Sequence, residues 1–332
     1  MNLGRTPHLR LLTAGLAAVW AVAAAAAEPK AKAPPAPAAV GGAPAAPASA
    51  GPVILDESGW LRIFACCRTP MVRGKDNELA ATKADFAVTT GAELPEGWSG
   101  PEFNDSGWAR HRLGRGHSKE TDYGFFHVFG PPLARECLRG KFRVDDPAAV
   151  REMKLSVGYR GGMIVYLNGK EIARGSLAKD AKLSNELLAE DYPPEAFVKP
   201  DGAPIRAQFR DPQTFKDQCE KRIRRLESIA IPASALRKGV NVLAFESFRS
   251  PYFGKGLDVE GLNSRTAWAT CGLVDFSLTA AGGATPNIER PRGIQVWNLD
   301  RNDRLTASLY ADPVEPLAPI TLVGVRNGFF SG

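Results

Sequence analysis

Histidine and methionine are scarce in this chain, four of each in 332 residues, and cysteine is held to five. His111, His117 and His127, the three histidines beyond the N-terminal leader, never fall at the i,i+4 spacing that puts two imidazoles on one helix face. No CxxC pair occurs either, so no metal ligands are assigned and zinc is not expected. A GxSxG elbow, an organised Cys–His–Asn pattern, a Gly-rich phosphate loop and zinc-finger or winged-helix spacings are all missing. Nucleophilic hydrolysis, nucleotide handling and nucleic-acid binding are thereby left without support. An odd cysteine count allows at most two disulfides within the chain. Cys66 or Cys67 is open to pairing with Cys137, Cys219 or Cys271, and sequence does not choose among them.

What is present begins with a leader. Arg5, His8 and Arg10 precede an apolar run over residues 11–27 that ends in Ala25-Ala26-Ala27. That run is short for a bilayer span and mostly alanine, so residues 1–27 read as a cleaved secretory signal, with no stable membrane span left after cleavage. A secreted, periplasmic or cell-envelope location follows. Residues 28–52 are rich in Ala, Pro, Lys and Gly and bury too little to order themselves, which makes them a tether. The formal charge of +6 is spread widely, and its clusters at 110–115 and 221–225 read as solvated basic faces.

Hydrophobic residues make up 44% of the chain, enough for a sizeable core, and their pattern is that of strands. Leu155 and Val157 alternate with polar residues, and residues 163–167 form a second apolar run. Asn168-Gly169 then supplies the pair that best tolerates a type I′ hairpin, so residues 153–172 are expected to form a meander, with Gly161-Gly162 as a tight link or close backbone approach. Residues 53–67 read as one buried strand, 124–129 and 141–144 as further strands, and 268–278 as the closing strand. In residues 240–246, Val240, Val242, Ala244 and Glu246 share one face while Leu243 and Phe245 share the other. Strand alternation fails over residues 175–228. There 177–188 and 212–226 have helical spacing, with Phe215, Cys219, Ile223 and Leu226 on one stripe, so this span reads as a long, partly helical insertion suited to shaping a binding surface.

Three stretches carry a resemblance: PEFNDSGW at 101–108, YLNGKEI at 166–172 and IAIPASALRKGVNVLAFE at 229–246. Their order resembles the galactose-binding-like jelly roll, as in the sugar-binding domain of the bacterial β-galactosidase and β-glucuronidase family. The resemblance covers roughly residues 53–280. It implies an all-β, jelly-roll β-sandwich interrupted by the 175–228 insertion. It further implies that catalysis resides in a separate barrel that this chain does not carry. Residues 281–293 read as a second linker. Residues 294–332, with β segments at 294–297, 305–309 and 320–325, read as the start of a second, truncated β-rich domain.

Carboxylates that would be needed for glycoside hydrolysis have structural explanations: Asp105 caps its turn, and Glu246, awkward at the end of an apolar strand, suggests an ion pair with an arginine. No catalytic residues are assigned. If a sugar binds, the expected contacts are Arg115, His117, Tyr123, Tyr252 and Trp268, on predicted loops or strand ends. Trp98 and Trp108 are expected to be structural. No cofactor is expected; calcium has weak support from the oxygens of Asp145-Asp146 or Asp258 and Glu260, which lack EF-hand spacing. The leading expectation is an exported, non-catalytic, carbohydrate-associated recognition or scaffolding module whose partners are a polysaccharide or glycan and downstream domains of the same protein. The alternatives are the N-terminal ancillary part of a larger secreted glycoside hydrolase and a structural module of the cell envelope.

Overall fold

The computed structural model describes residues 51–74, 76–81, 93–113, 132–205, 214–253, 268–299, 309–317 and 319. The leader, the tether up to residue 50 and the strand read at 124–129 lie outside them, as do the segment at 320–325 and all but the last residue of 305–309.

Fourteen strands lie among the described residues: β1 Val53–Asp56, β2 Leu61–Cys67, β3 Met71–Arg73, β4 Leu79–Ala81, β5 Ala109–His111, β6 Leu133–Val144, β7 Arg151–Arg160, β8 Gly162–Leu167, β9 Lys170–Gly175, β10 Arg224–Ala230, β11 Gly239–Phe248, β12 Tyr252–Phe253, β13 Gly272–Ala281 and β14 Ala284–Thr285. One antiparallel sheet has the order β1-β13-β7-β10. A larger one runs β5-β2-β6-β11-β8-β9, with β14 added to the end of β6. A small third sheet has β3 between β12 and β4.

The two main sheets are the halves of an all-β sandwich. Period-two side-chain alternation sends Leu155, Val157, Phe276 and Leu278 inward from the first sheet and Leu138, Phe142, Val165 and Phe245 inward from the second, into one buried cluster. Phe245 meets Phe276 across the gap with ring centroids 4.9 Å apart. Burying each such ring stabilises the fold by roughly 1.5–3 kcal/mol. The first sheet is wet outside: Lys154 and Ser156 are exposed between buried neighbours. The second is covered on both faces in its middle, where eleven of the twelve residues of β6 are buried. Whatever covers its outer face therefore shapes any site there.

Asn168 (φ 51°) and Gly169 (φ 84°) form the expected type I′ turn between β8 and β9. The Asn168 side chain also accepts from the Val242 amide at 3.0 Å and donates to Asn241 Oδ1 at 2.8 Å, tying the hairpin to β11. The meander expected upstream of it does not form. β7 and β8 belong to different sheets, and Gly161 carries the chain from one to the other at φ +75°. A Cβ there would sit 1.9 Å from the Phe248 carbonyl oxygen. Of the two roles Gly161 was read for, close backbone approach is the one observed, and it joins layers rather than neighbouring strands.

Residues 53–67 are likewise two strands in two sheets, broken by a turn in which Asp56 accepts from Ser58. The helical readings of the insertion largely fail. Residues 177–188 contain no helix, and the second reading shrinks to α1, Lys216–Glu220, which buries no residue. Leu226 lies instead in β10, paired with Val157 of β7. A stripe of four apolar residues was too short to outweigh strand pairing, and the deeply buried residue is Arg222. Its guanidinium donates to the Ala196 carbonyl at 2.8 Å and lies 4.7 Å from the Trp268 ring centroid. Arg224 donates to the Gly161, Glu190 and Asp191 carbonyls. The basic cluster at 221–225 is thus divided: Arg222 and Arg224 brace the interior, while Lys221 and Arg225 are exposed as a solvated face would have them.

Residues 176–205 lie over the end of the large sheet, where Leu177 and Ala189 pack on Ile164 and Phe248. Residues 294–297 form no strand, and Ile294 and Val296 are exposed. Residues 281–293, read as a linker, include β14 paired with Val144 and Arg143. None of the five cysteines is in a disulfide.

Candidate functional site

Arg139 and Lys141 sit on β6 with side chains directed to the outer face of the large sheet, opposite in phase to Leu138 and Phe142. The turn 97–108 folds over them. Arg139, fully buried, donates from Nε to Asp105 Oδ2 at 2.7 Å, from Nη1 to the Gly100 carbonyl at 2.9 Å and also to that of Trp98. Lys141 Nζ takes the other Asp105 oxygen at 2.7 Å. One arginine therefore pairs the Trp98 carbonyl against the sheet and adds a second donor to the Gly100 carbonyl, which also accepts from the Phe103 amide.

Asp105 does not cap its own turn through its carboxylate, as the sequence suggested. That role falls to Asn104, whose Oδ1 accepts from the Ser106 amide at 3.0 Å, while the Asp105 backbone carbonyl accepts from Trp108. Burial alone would raise the Asp105 carboxyl, but the charge of Lys141 and the bonds from Arg139 and Lys141 outweigh it and hold the group below its ordinary value. Trp98 and Trp108 are buried with Cys137, Val242 and Ala244 beneath the turn, as structural tryptophans should be.

Between this turn and residues 315–317 lies a cleft of about 460 Å³. Phe103 and Lys141 line it, with Val240 and Val242 of β11, Glu102, Asp105, Arg237 and Glu315. Phe103 is half-buried, set edge-on to Trp108 with the Arg139 guanidinium 5.3 Å from its ring centroid. Arg237 is held by Glu102 at 2.8 Å and by the Val240 carbonyl at 2.8 Å. An apolar ring and floor bordered by fixed donors and acceptors can take a polar ligand that also has an apolar face.

The sequence-selected contacts are elsewhere. Arg115, His117 and Tyr123 lie outside the described residues. Tyr252 and Trp268 are each 1% exposed, packed with Val72, Tyr192, Ala196 and Phe197, and the Tyr252 hydroxyl donates to the Trp268 carbonyl. Neither ring is offered to solvent, because residues from the insertion close over both. Glu246 is completely buried and meets Arg135 at 2.7 Å and the Tyr166 hydroxyl at 2.6 Å, which is the ion pair expected of it. Asp145 accepts from Thr285 Oγ1 and Asp146 caps a short turn of helix, while Asp258 and Glu260 lie outside the described residues. No group of three or more metal-ligating side chains exists among the described residues, and none of their helices is long and apolar enough to cross a membrane.

No protein-family model and no curated protein matches the chain. Among solved structures, a glycosyl hydrolase family 2 member from Bacteroides cellulosilyticus aligns over 68% of this chain and 20% of its own, at 13% identity and a TM-score of 0.29. A β-glycosidase from Bacteroides vulgatus aligns over 66% and 20%, at 13% identity and 0.27. A calcium-binding mutant of Bacteroides uniformis β-glucuronidase 2 aligns over 69% and 18%, at 12% identity and 0.28. The chain spans about a fifth of the length of these structures.

Proposed function

We propose that this chain is a carbohydrate-associated recognition module, exported by its leader, that holds a glycan in the cleft beside Phe103 and performs no chemistry on it. The observation that carries this reading is the cleft, where an aromatic ring is flanked by Lys141 and by an Arg237 already oriented by Glu102 and a backbone carbonyl. Sugars present a C–H face to aromatic rings and hydroxyls to charged or amide groups, so this pairing suits them. Recognition is favoured over hydrolysis because Asp105 has both oxygens engaged by cations and is held ionised, which removes it as a proton donor or a free nucleophile. The YLNGKEI and PEFNDSGW stretches support a place beside glycoside hydrolase domains, and a glycan ligand would keep such a partner near its substrate.

The test is retention of the intact protein on a panel of immobilised polysaccharides, alongside Phe103→Ala and Arg237→Ala. The reading predicts retention on at least one glycan and a loss of about five- to tenfold in affinity for each variant, with a cooperative melting transition above the assay temperature as the control for folding. No retention on any glycan, or retention that both variants leave intact, would overturn it.

A further inference from the structure

Lys141 and Glu315 line the cleft and also pack beside it against Trp60, Arg62, Arg110 and the buried Asp312, where no free space remains. Strands β2, β5 and β6 deliver Arg62, Arg110, Arg139 and Lys141 to this region, and Asp105 neutralises the last two. For Arg62 and Arg110 the carboxylate comes from the 309–317 segment. Glu315 Oε1 accepts from Arg62 Nε at 2.8 Å and from Lys141 at 3.4 Å. Its Oε2 is 3.6 Å from Arg110 Nε, beyond hydrogen-bond reach. Arg110 therefore makes no hydrogen bond from any of its three guanidinium nitrogens, although its side chain is only 5% exposed and lies 4.0 Å from the Trp60 ring centroid. A buried guanidinium with its donors unused is costly unless an acceptor arrives. Burial accordingly pulls the Arg110 pKa down, against the opposing pull of Glu315 and Asp312. Glu315 faces all three cations and hydrogen-bonds only Arg62 and Lys141; Lys141 also has Asp105, whereas Arg110 has only the unbonded charges of Glu315 and Asp312.

We propose that Arg62, Arg110 and Lys141 form an oxyanion site continuous with the cleft, filled from within the chain by Glu315 and taken over by the carboxylate or sulfate of an acidic glycan. The anion site itself follows from these residues alone; only the identity of its ligand as a glycan rests on the reading given above. A ligand oxyanion reaching past Lys141 gives Arg110 the acceptor that Glu315 fails to supply, and a fork-shaped guanidinium suits both carboxylate and sulfate geometry. Neutral glycans would leave Glu315 in place.

Two experiments on the intact chain test this. In the first, Glu315→Ala is melted in sodium acetate and in sodium chloride of equal ionic strength. Acetate is expected to raise its Tm by about 3–5 °C at 100 mM, for a half-effect near 10 mM, and to leave the wild type unmoved. Adding Arg110→Met should abolish the rescue. If Glu315→Ala does not fold, Glu315→Gln is read the same way. Equal melting in the two salts would overturn the site.

In the second, a galacturonate trimer, a sulfated galacto-oligosaccharide and a neutral galacto-oligosaccharide are titrated against wild type and Glu315→Gln. At least one acidic ligand is expected to bind more tightly than the neutral one, and about fivefold more tightly still once the internal competitor is removed. Neutral ligand bound as well as acidic, with no effect of Glu315→Gln, would overturn the ligand assignment and leave the glycan reading standing. Acetate rescue with no glycan bound would sink the glycan reading and leave the oxyanion site standing.

Discussion

Glu136 is a buried carboxyl with no cation among the groups that shift it. It points inward from β6 between the sheets, 1% exposed, accepting from the Leu273 amide at 3.1 Å, close to Gly272 and Cys271. Burial pushes its pKa up to about 7 from an ordinary 4.5, and the one amide bond only partly offsets this. A raised carboxyl pKa means that the folded state holds the proton more tightly than the unfolded one. The Glu136 contribution to stability is thus largest below about pH 4.5 and is lost progressively as pH rises to about 7, by an order-of-magnitude 3 kcal/mol. Glu136→Gln should remove this slope, leaving the variant more stable than wild type at pH 8 and close to it at pH 4.5; urea unfolding at both values checks it. At the same scale, some side-chain roles are legible from sequence and others are not. Glu246 stands out as a charge in an apolar strand and proves to be paired with Arg135. Tyr252 and Trp268 look like loop aromatics, yet residues distant in sequence, Tyr192 and Phe197, bury them. Local pattern does not report exposure that is decided by a remote segment. Arg139, Lys141 and Glu315, which build the site, carry no local signal beyond charge.

Elements that depend on neighbouring residues are those that the sequence specifies. The Asn168-Gly169 turn needs positive φ at both positions and has the residues for it. The inward and outward faces of β11 follow its alternation, with Leu243 and Phe245 in the inter-sheet core and Val242 and Ala244 against Trp98 and Trp108. Assignment of a strand to a sheet depends on partners instead. The pattern of β7 and β8 fits a hairpin, but their partners, β13 and β10 for one and β11 and β9 for the other, separate them. Gly161 is the point at which that separation is made. Gly161→Ala places a methyl against the Phe248 and Thr270 carbonyls at an unfavourable φ, and should cost about 2–4 kcal/mol in urea denaturation with the m-value retained. A cost below about 1 kcal/mol would show that the crossing tolerates a side chain and that the close approach is not essential.

Among the described residues, the four-stranded sheet has an outer face open to water and three segments cover the other sheet, to different ends. The insertion residues 177–198 seal the end near Tyr252 and Trp268. The 97–108 turn and the 309–317 segment meet over β6 and leave a cleft between them. The long insertion, the part that sequence marks as most apt to shape a site, acts here as a cover, whereas the short PEFNDS turn borders the cleft. On the proposed reading, ligand enters between that turn and the 309–317 segment. Hydrogen exchange of the intact chain, with and without the oligosaccharide best retained in the panel, tests it most directly. Protection confined to peptides containing residues 101–106, 237–242 and 315–317 is the predicted result; protection centred on residues 184–198, or on the exposed face of the four-stranded sheet, would contradict it.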